Sequence, residues 1–267
     1  MKAPAIFVFL LSLASLSYSQ VEVEASRWRG PNGNGIYPET GLMKTWAASG
    51  PEIAWTFEGL GEGYSSPTIA NGMVFVTGME GETGYVYALS KNGKLLWKAP
   101  YGPEFASSYP GARSAVTVAG DLLYMLSGEG RLVCMIAEDG TKKWSKDLFR
   151  DFDGRNIRWG VTETVVVDGE KVFCTPGGAK NNVIALNRYS GELLWSSPGK
   201  GDISAYCTPL LIKLPGRKLL VTMTANNILG LDADSGKLLW SHPQTNQYSV
   251  HANTPIYQNG AVFCFSG

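Results

Sequence analysis

Histidine is almost missing from this chain: its 267 residues include two, His242 and His251. Neither lies in a zinc-binding spacing, so a histidine-ligated metal hydrolase is not expected, and both read as ordinary surface or turn residues. Cysteine is scarce too, with Cys134, Cys174, Cys207 and Cys264 forming no C-x-x-C and no haem-attachment or metal-like spacing. Net charge is lacking, because 23 Lys and Arg balance 23 Asp and Glu. A nucleic-acid partner would favour a basic face, so none is expected, and there is no polybasic membrane anchor. There is no G-x-S-x-G nucleophile elbow. Beyond the first residues no window keeps an apolar stripe at helical spacing, which excludes a helical fold. No later apolar run approaches the roughly 20 residues that cross a bilayer as a helix.

The exception is the amino terminus. Residues 1–19 read as a secretory signal, with Lys2 as the charged region, Ala5 to Leu16 as the apolar region and Ser17-Tyr18-Ser19 as a small-x-small cleavage site. No cysteine lies near it, so a lipoprotein is not expected. The mature chain is therefore expected in a periplasmic or secreted setting, after cleavage near Ser19. Export permits disulfides. Cys174 and Cys264 nevertheless fall in one column of modules two apart, so the four thiols are read as free and packed as small apolar groups.

What the chain has in abundance is a repeat. Asn92-Gly93-Lys94-Leu95-Leu96-Trp97, Gly140-Thr141-Lys142-Lys143-Trp144, Ser190-Gly191-Glu192-Leu193-Leu194-Trp195 and Ser235-Gly236-Lys237-Leu238-Leu239-Trp240 share one pattern, and Trp55 opens the series. The tryptophans are spaced by 42, 47, 51 and 45 residues, a period that signals a stacked or radial array. Each unit holds four short apolar runs, rich in β-branched and aromatic residues and bounded by Gly, Asn, Asp or Pro, which read as strands. The Gly-bearing steps between runs three and four read as tight hairpin turns. Four antiparallel strands repeated radially make a propeller blade.

The expected fold is therefore all-β. It is a β-propeller of four-stranded antiparallel blades, an incomplete ring of about four full blades plus part of a fifth, from a seven- or eight-bladed parent. The blades are expected at about 64–100, 112–148, 160–199 and 205–243, with a partial one at 251–267. They form a repeat region over 59–267 after an entry segment, 20–58, that carries an outer strand at Trp55. The tryptophans Trp55, Trp97, Trp144, Trp195 and Trp240 are assigned to blade docking. Small residues recur in the third run at Ala88, Ala185 and Gly230, with Met135 as the exception, and are expected to receive a neighbouring blade's large side chain.

The stretches Ala88-Leu89-Ser90-Lys91-Asn92-Gly93-Lys94-Leu95-Leu96-Trp97 and Ala185-Leu186-Asn187-Arg188-Tyr189-Ser190-Gly191-Glu192-Leu193-Leu194-Trp195 resemble the repeat of the pyrroloquinoline-quinone-like (PQQ-like) propeller family. Trp28-Arg29-Gly30-Pro31-Asn32-Gly33-Asn34-Gly35 is similar to the entry segment of its exported members. The resemblance implies one of two functional classes. Some members are alcohol dehydrogenases that hold PQQ between a Trp and a disulfide of adjacent cysteines, with calcium on Glu, Asn and Asp oxygens. Others carry no cofactor, among them the propeller protein of the outer-membrane assembly machinery. No adjacent cysteine pair exists here, so neither a catalytic residue nor a metal site is assigned. No cofactor is expected, PQQ with calcium entering only under the dehydrogenase reading.

One column has more chemistry than turn formation needs. The residues just before and at the first run of each blade are expected to ring the channel mouth. They give the binding candidates Tyr64, Arg113, Trp159, Glu163, Tyr206, His251 and Asn253. Arg and aromatics at such a mouth suit recognition of a ligand or protein segment. The leading expectation is a non-catalytic binding or scaffold module with a protein or polymer partner in the cell envelope. The alternatives are a quinoprotein dehydrogenase and an outer-membrane assembly factor.

Overall fold

The computed structural model describes residues 25–266; the secretory-signal reading of residues 1–19 lies outside them. Among the described residues four antiparallel sheets follow one another along the chain, three of four strands and the second widened to five by a short leading strand, and two strands of a fifth come last. A two-residue strand, β1 (Ala25–Ser26), comes first. Blade one is β2 (Thr68–Ala70), β3 (Met73–Glu80), β4 (Thr83–Ser90) and β5 (Leu95–Pro103). Blade two is β6 (Thr117–Ala119), β7 (Leu122–Leu126), β8 (Arg131–Ile136) and β9 (Lys142–Asp147), followed by one helical turn, α1 (Leu148–Asp151). Blade three is β10 (Val166–Asp168), β11 (Lys171–Cys174), β12 (Val183–Asn187) and β13 (Leu193–Ser197). Blade four is β14 (Leu210–Leu214), β15 (Arg217–Met223), β16 (Asn227–Asp232) and β17 (Leu238–Pro243). The strands β18 (Ile256–Gln258) and β19 (Ala261–Phe263) begin the fifth.

The turns explain the strand order. Asn71 and Gly72 both take positive φ, 51° and 76°, as do Asn259 and Gly260, at 51° and 79°. Paired left-handed residues match a hairpin to the twist of its strands, and Asn and Gly are the residues that tolerate them. Every complete blade also has a register shift in its outer hairpin, after Ala88, Cys134, Ala185 and Gly230. That bulge is a repeated feature of the module and bends the outer strand.

The core lies between blades. One cluster joins Phe75 and Val86 of blade one to Leu123, Met125 and Val133 of blade two. Another joins Tyr124 and Leu132 to Val172, Ile184 and Leu186 of blade three. Central strands are consequently buried on both faces, and β7 is buried at every position. This is why these runs read as continuous apolar stretches and not as alternating ones.

Trp97, Trp144 and Trp195 each tie their blade to the next. Their indole Nε1 groups donate to the carbonyls of Ala137, Arg188 and Ala233 at 3.2, 3.0 and 3.2 Å. Each ring covers the turn glycine of the next blade: a Cβ on Gly140, Gly191 or Gly236 would lie within 3 Å of it. Trp55 docks in the same way, donating to Lys91 O at 2.8 Å and covering Gly93. Within its own blade each ring meets an aromatic of the second strand: Phe75–Trp97, Tyr124–Trp144 and Phe173–Trp195 have centroids 5.9, 6.1 and 5.9 Å apart.

Three expectations need correction. The small residues face their own blade's tryptophan, since Ala88, Ala185 and Gly230 pair with Trp97, Trp195 and Trp240 across the outer hairpin. Cys134 pairs with Trp144, so it occupies that column in blade two, and Met135 is no exception. Trp55 lies outside any strand. The entry segment enters the structure elsewhere, with β1 pairing to β6, the first strand of blade two.

Around the axis, threonines link the first strands. Thr68 and Thr117 hydroxyls donate to Val116 O and Val165 O, both at 2.7 Å. Thr164 and Thr208 hydroxyls accept from Ala115 N and Thr164 N at 3.2 and 3.1 Å. A buried hydroxyl needs such a partner, and here the bond also sets the spacing between blades.

The four cysteines are free, three of them buried and Cys264 half-buried. Burial pushes the Cys134 and Cys207 thiols up to about 12 and raises Cys264. With Ellman's reagent at pH 8, Cys264 is expected to react first. The other three should react only at the rate of unfolding, because the thiolate is the reactive species. Rapid reaction of all four in the native protein would contradict this packing.

Candidate functional site

The loops that precede β2, β6, β10, β14 and β18 gather at one end of the blades. They are pinned to one another by backbone: Tyr64 N donates to Ala112 O at 2.7 Å, and His251 N to Ala205 O at 2.9 Å. The Thr162 hydroxyl reaches Tyr206 O at 3.3 Å. Between the loops lies an open cavity of about 690 Å³. Tyr64, Arg113, Trp159, Tyr206 and Asn253 line it, together with Tyr109 and Tyr248.

The aromatic groups are presented outward. Tyr64, Tyr109 and Tyr248 are 62, 72 and 57% exposed, an unusual display for large side chains gathered at one face. Trp159 stands edge-on to Tyr248 with centroids 6.0 Å apart, and the Arg158 guanidinium lies 4.8 Å over its ring. Two of the tyrosines hold left-handed backbone, φ 47° at Tyr109 and 68° at Tyr206. That conformation is disfavoured for bulky residues and is kept only where the surroundings enforce it.

Arg113 is the charged centre. Its Nη2 donates to the carbonyls of Ser108 and Tyr109 at 3.0 and 2.7 Å. The guanidinium carbon sits 5.0 Å from the Phe105 ring centre and 5.9 Å from that of Tyr64. Its Nε is buried without a hydrogen-bond partner. Among the described residues no carboxylate lines the cavity.

Two of the expected mouth residues are elsewhere. Glu163 is fully buried; its Oε2 accepts from Thr175 N at 3.0 Å and its Oε1 has no partner. Burial pushes this carboxyl up to about 8, so it is mainly protonated at neutral pH. His251 is also buried, with Nδ1 2.9 Å from Ser266 Oγ and Nε2 3.3 Å from Ala225 O. Alternation explains Glu163: one step along an extended chain turns a side chain from the channel to the blade interior.

Sequence reasoning missed Tyr109, Tyr248 and Trp28. The first two stand in longer loops, outside the column that the repeat aligns. The signal that finds them is loop position: each belongs to a connection ending at the same face. Trp28 lines a smaller inner cavity, about 180 Å³, that also involves Tyr64, Arg113 and Tyr206. A further cleft of about 550 Å³ is lined by Arg27, Asp168 and Lys213. There Asp168 is met by Lys213 at 3.3 Å and Lys218 at 2.6 Å.

The mouth does not fit a PQQ–calcium centre. Calcium needs six to eight oxygen ligands, with carboxylates among them. The mouth offers phenols, an indole, a guanidinium and the Asn253 amide. Among the described residues no cluster of three or more His, Cys, Asp or Glu could hold a metal ion.

Residues 82–267 match the family model described as "Outer membrane protein assembly factor BamB". The chain belongs to this family. Among curated relatives, the BamB of Kangiella koreensis is 26% identical over 139 residues, which is 51% of this chain and 32% of that protein. The chain thus spans about a third of the length of that relative. Among solved structures, the quinohemoprotein alcohol dehydrogenase of Comamonas testosteroni aligns with a TM-score of 0.55 at 15% identity, over 76% of this chain and 39% of that one. The quinohemoprotein alcohol dehydrogenase ADHIIG of Pseudomonas putida HK5 aligns at 0.52 and 15%, over 77% and 38%. At such identity the BamB-family chain shares the PQQ-like propeller fold with these enzymes, and the likeness extends to fold alone.

Proposed function

We propose that this chain is an exported binding module. Its propeller face holds an extended segment of a cell-envelope protein, in the service of outer-membrane protein assembly. The observation that carries the binding role is the mouth cavity: exposed aromatics on several blade loops around one arginine, with no carboxylate among them. Aromatic and Arg side chains supply most of the energy at protein-recognition sites, because they bury large area at low entropic cost. Membership of the BamB family supports the assembly role. The mouth's donor set speaks for binding without chemistry.

Site-directed photo-crosslinking tests this. A photo-reactive amino acid at position 248 is expected to trap discrete envelope proteins, and one at the exposed position 189, away from the cavity, is not. Trp159→Ala should reduce the crosslinked yield several-fold with an unchanged unfolding midpoint. Equal yields from both positions would remove the mouth as the binding surface. Alcohol-dependent dye reduction after addition of PQQ and calcium would overturn the non-enzymatic reading.

A further inference from the structure

We infer that the segment held at the mouth is proline-rich, its rings seated against the aromatic walls and its carbonyls accepting from tyrosine hydroxyls and the Trp159 indole. The inference rests on the mouth being a polypeptide-binding surface, and it names what kind of segment enters.

The hydrogen-bond inventory is the first argument. Elsewhere in the fold, phenols and indoles spend their donors on the protein. The hydroxyls of Tyr87, Tyr101 and Tyr124 donate to Glu80, Glu104 and Arg188 O, and the docking indoles donate to carbonyls of the next blade. At the mouth the pattern reverses. Among the described residues, the hydroxyls of Tyr64, Tyr109, Tyr206 and Tyr248 and the Trp159 Nε1 donate to no protein group. The two half-buried members, Tyr206 and Trp159, still have these atoms open to solvent.

Acceptors are in the opposite condition. The carbonyls of the lining residues Tyr109, Tyr206 and Val250 already accept from Arg113 Nη2, Thr162 Oγ1 and Asn246 Nδ2. Those of Ala112 and Ala205 accept from Tyr64 N and His251 N. Among the described residues no carboxylate lines the cavity. An ordinary extended chain brings one N–H per residue, and burying an N–H without an acceptor is costly. Proline brings a carbonyl and no N–H. A mouth with free donors and spent acceptors therefore complements a proline-rich chain. Strand addition would need a free sheet edge, and capture of a phosphorylated segment an arginine cluster; the lining holds loops already bonded to one another and the single Arg113. A sugar could stack on the same rings, but its hydroxyls need acceptors as well as donors.

Shape is the second argument. Trp159 and Tyr248 meet at 66° with centroids 6.0 Å apart, so two aromatic walls form a corner. Aromatic-lined grooves of this kind receive proline-rich segments, which adopt the polyproline II helix before they bind. Such a chain makes no internal hydrogen bonds and is already extended, so its carbonyls are free and little entropy is lost on docking.

The test uses three uncharged, fluorescein-labelled peptides of equal length, followed by fluorescence polarisation with the full chain. The first alternates proline pairs with leucine. The second has alanine at every proline, and the third has N-methylalanine, which lacks the N–H and the closed ring. The proline peptide is expected to bind about tenfold or more tightly than the alanine peptide, with the N-methylalanine peptide between them. Tyr64→Phe and Tyr248→Phe keep the ring and remove the donor. Each should weaken the proline peptide about threefold to fivefold and leave the alanine peptide nearly unchanged. The peptide comparison needs no variant, so a misfolded substitution leaves the test intact. Equal binding of the proline and alanine peptides overturns the inference and leaves the mouth as a polypeptide site. Wild-type affinity in both Phe variants overturns it as well, because the donors then do nothing. Displacement of the proline peptide by maltohexaose would reassign the mouth to a glycan. If no peptide binds, the proline inference fails, and photo-crosslinking from position 248 decides separately whether the mouth holds protein at all.

Discussion

Glu163→Gln is expected to make the protein more stable than wild type at pH 8, by up to about 4 kcal/mol, and to leave the two nearly equal near pH 4. In the wild type this carboxyl is buried with one oxygen unpartnered, and burial pushes it up to about 8. In the unfolded chain it ionises near the ordinary value of 4.5. Between those values the folded state binds more protons than the unfolded state, so stability falls as pH rises. The loss begins above about pH 4.5 and is complete above about pH 8. A tenfold difference in proton affinity between the folded and unfolded chain is worth about 1.4 kcal/mol, which sets the size of the effect. Gln stays neutral throughout, so the variant lacks this loss. Asp168 has the opposite sign. Burial raises it, but Lys218 and Lys213 together outweigh burial and hold it below the usual range, so its contribution is lost as pH falls. Because Asp168 is common to both proteins, the difference between their urea-unfolding curves at each pH isolates Glu163. A difference that stays constant from pH 4 to pH 8 would contradict the burial argument.

Trp144→Ala should cost about 3 kcal/mol, with the urea slope unchanged. This ring joins two blades. It covers Gly191, donates to Arg188 O at 3.0 Å and packs 6.1 Å from Tyr124. Removing a large core aromatic loses its transfer energy and leaves a cavity, typically costing about 3–5 kcal/mol; the low end applies because the ring is partly exposed. A loss below about 1 kcal/mol would mean that blade docking is not what this indole supplies.

The repeat made most of the fold legible. Gly93, Gly140, Gly191 and Gly236 mark the outer turns, and each reappears with φ between 73° and 76°. The blade limits could be read because every strand pair closes through a short turn with its own residue signature. The site was legible only in part. Tyr64, Arg113, Trp159, Tyr206 and Asn253 line the mouth because chain column and spatial ring coincide there. Glu163 and His251 sit in the same column and turn inward. The register of Cys134 against Trp144 was hidden by the outer turn of blade one, which is a residue shorter than the others, so that Met135 matches the distance from Ala88 to Trp97 while Cys134 matches that from Ala185 to Trp195 and from Gly230 to Trp240.

Local sequence thus determined the module: where strands begin, where hairpins turn and which indole caps each unit. These depend on neighbours a few residues apart, and turn and strand preferences act over that distance. Only the tertiary structure decided which side chains face the mouth, that Trp28 lines the inner cavity beside it, and that Glu163 and His251 are buried away from it. Those facts depend on loops brought together from distant parts of the chain, from Tyr64 to Asn253, and on burial, which changes a group's charge and exposure without altering its sequence.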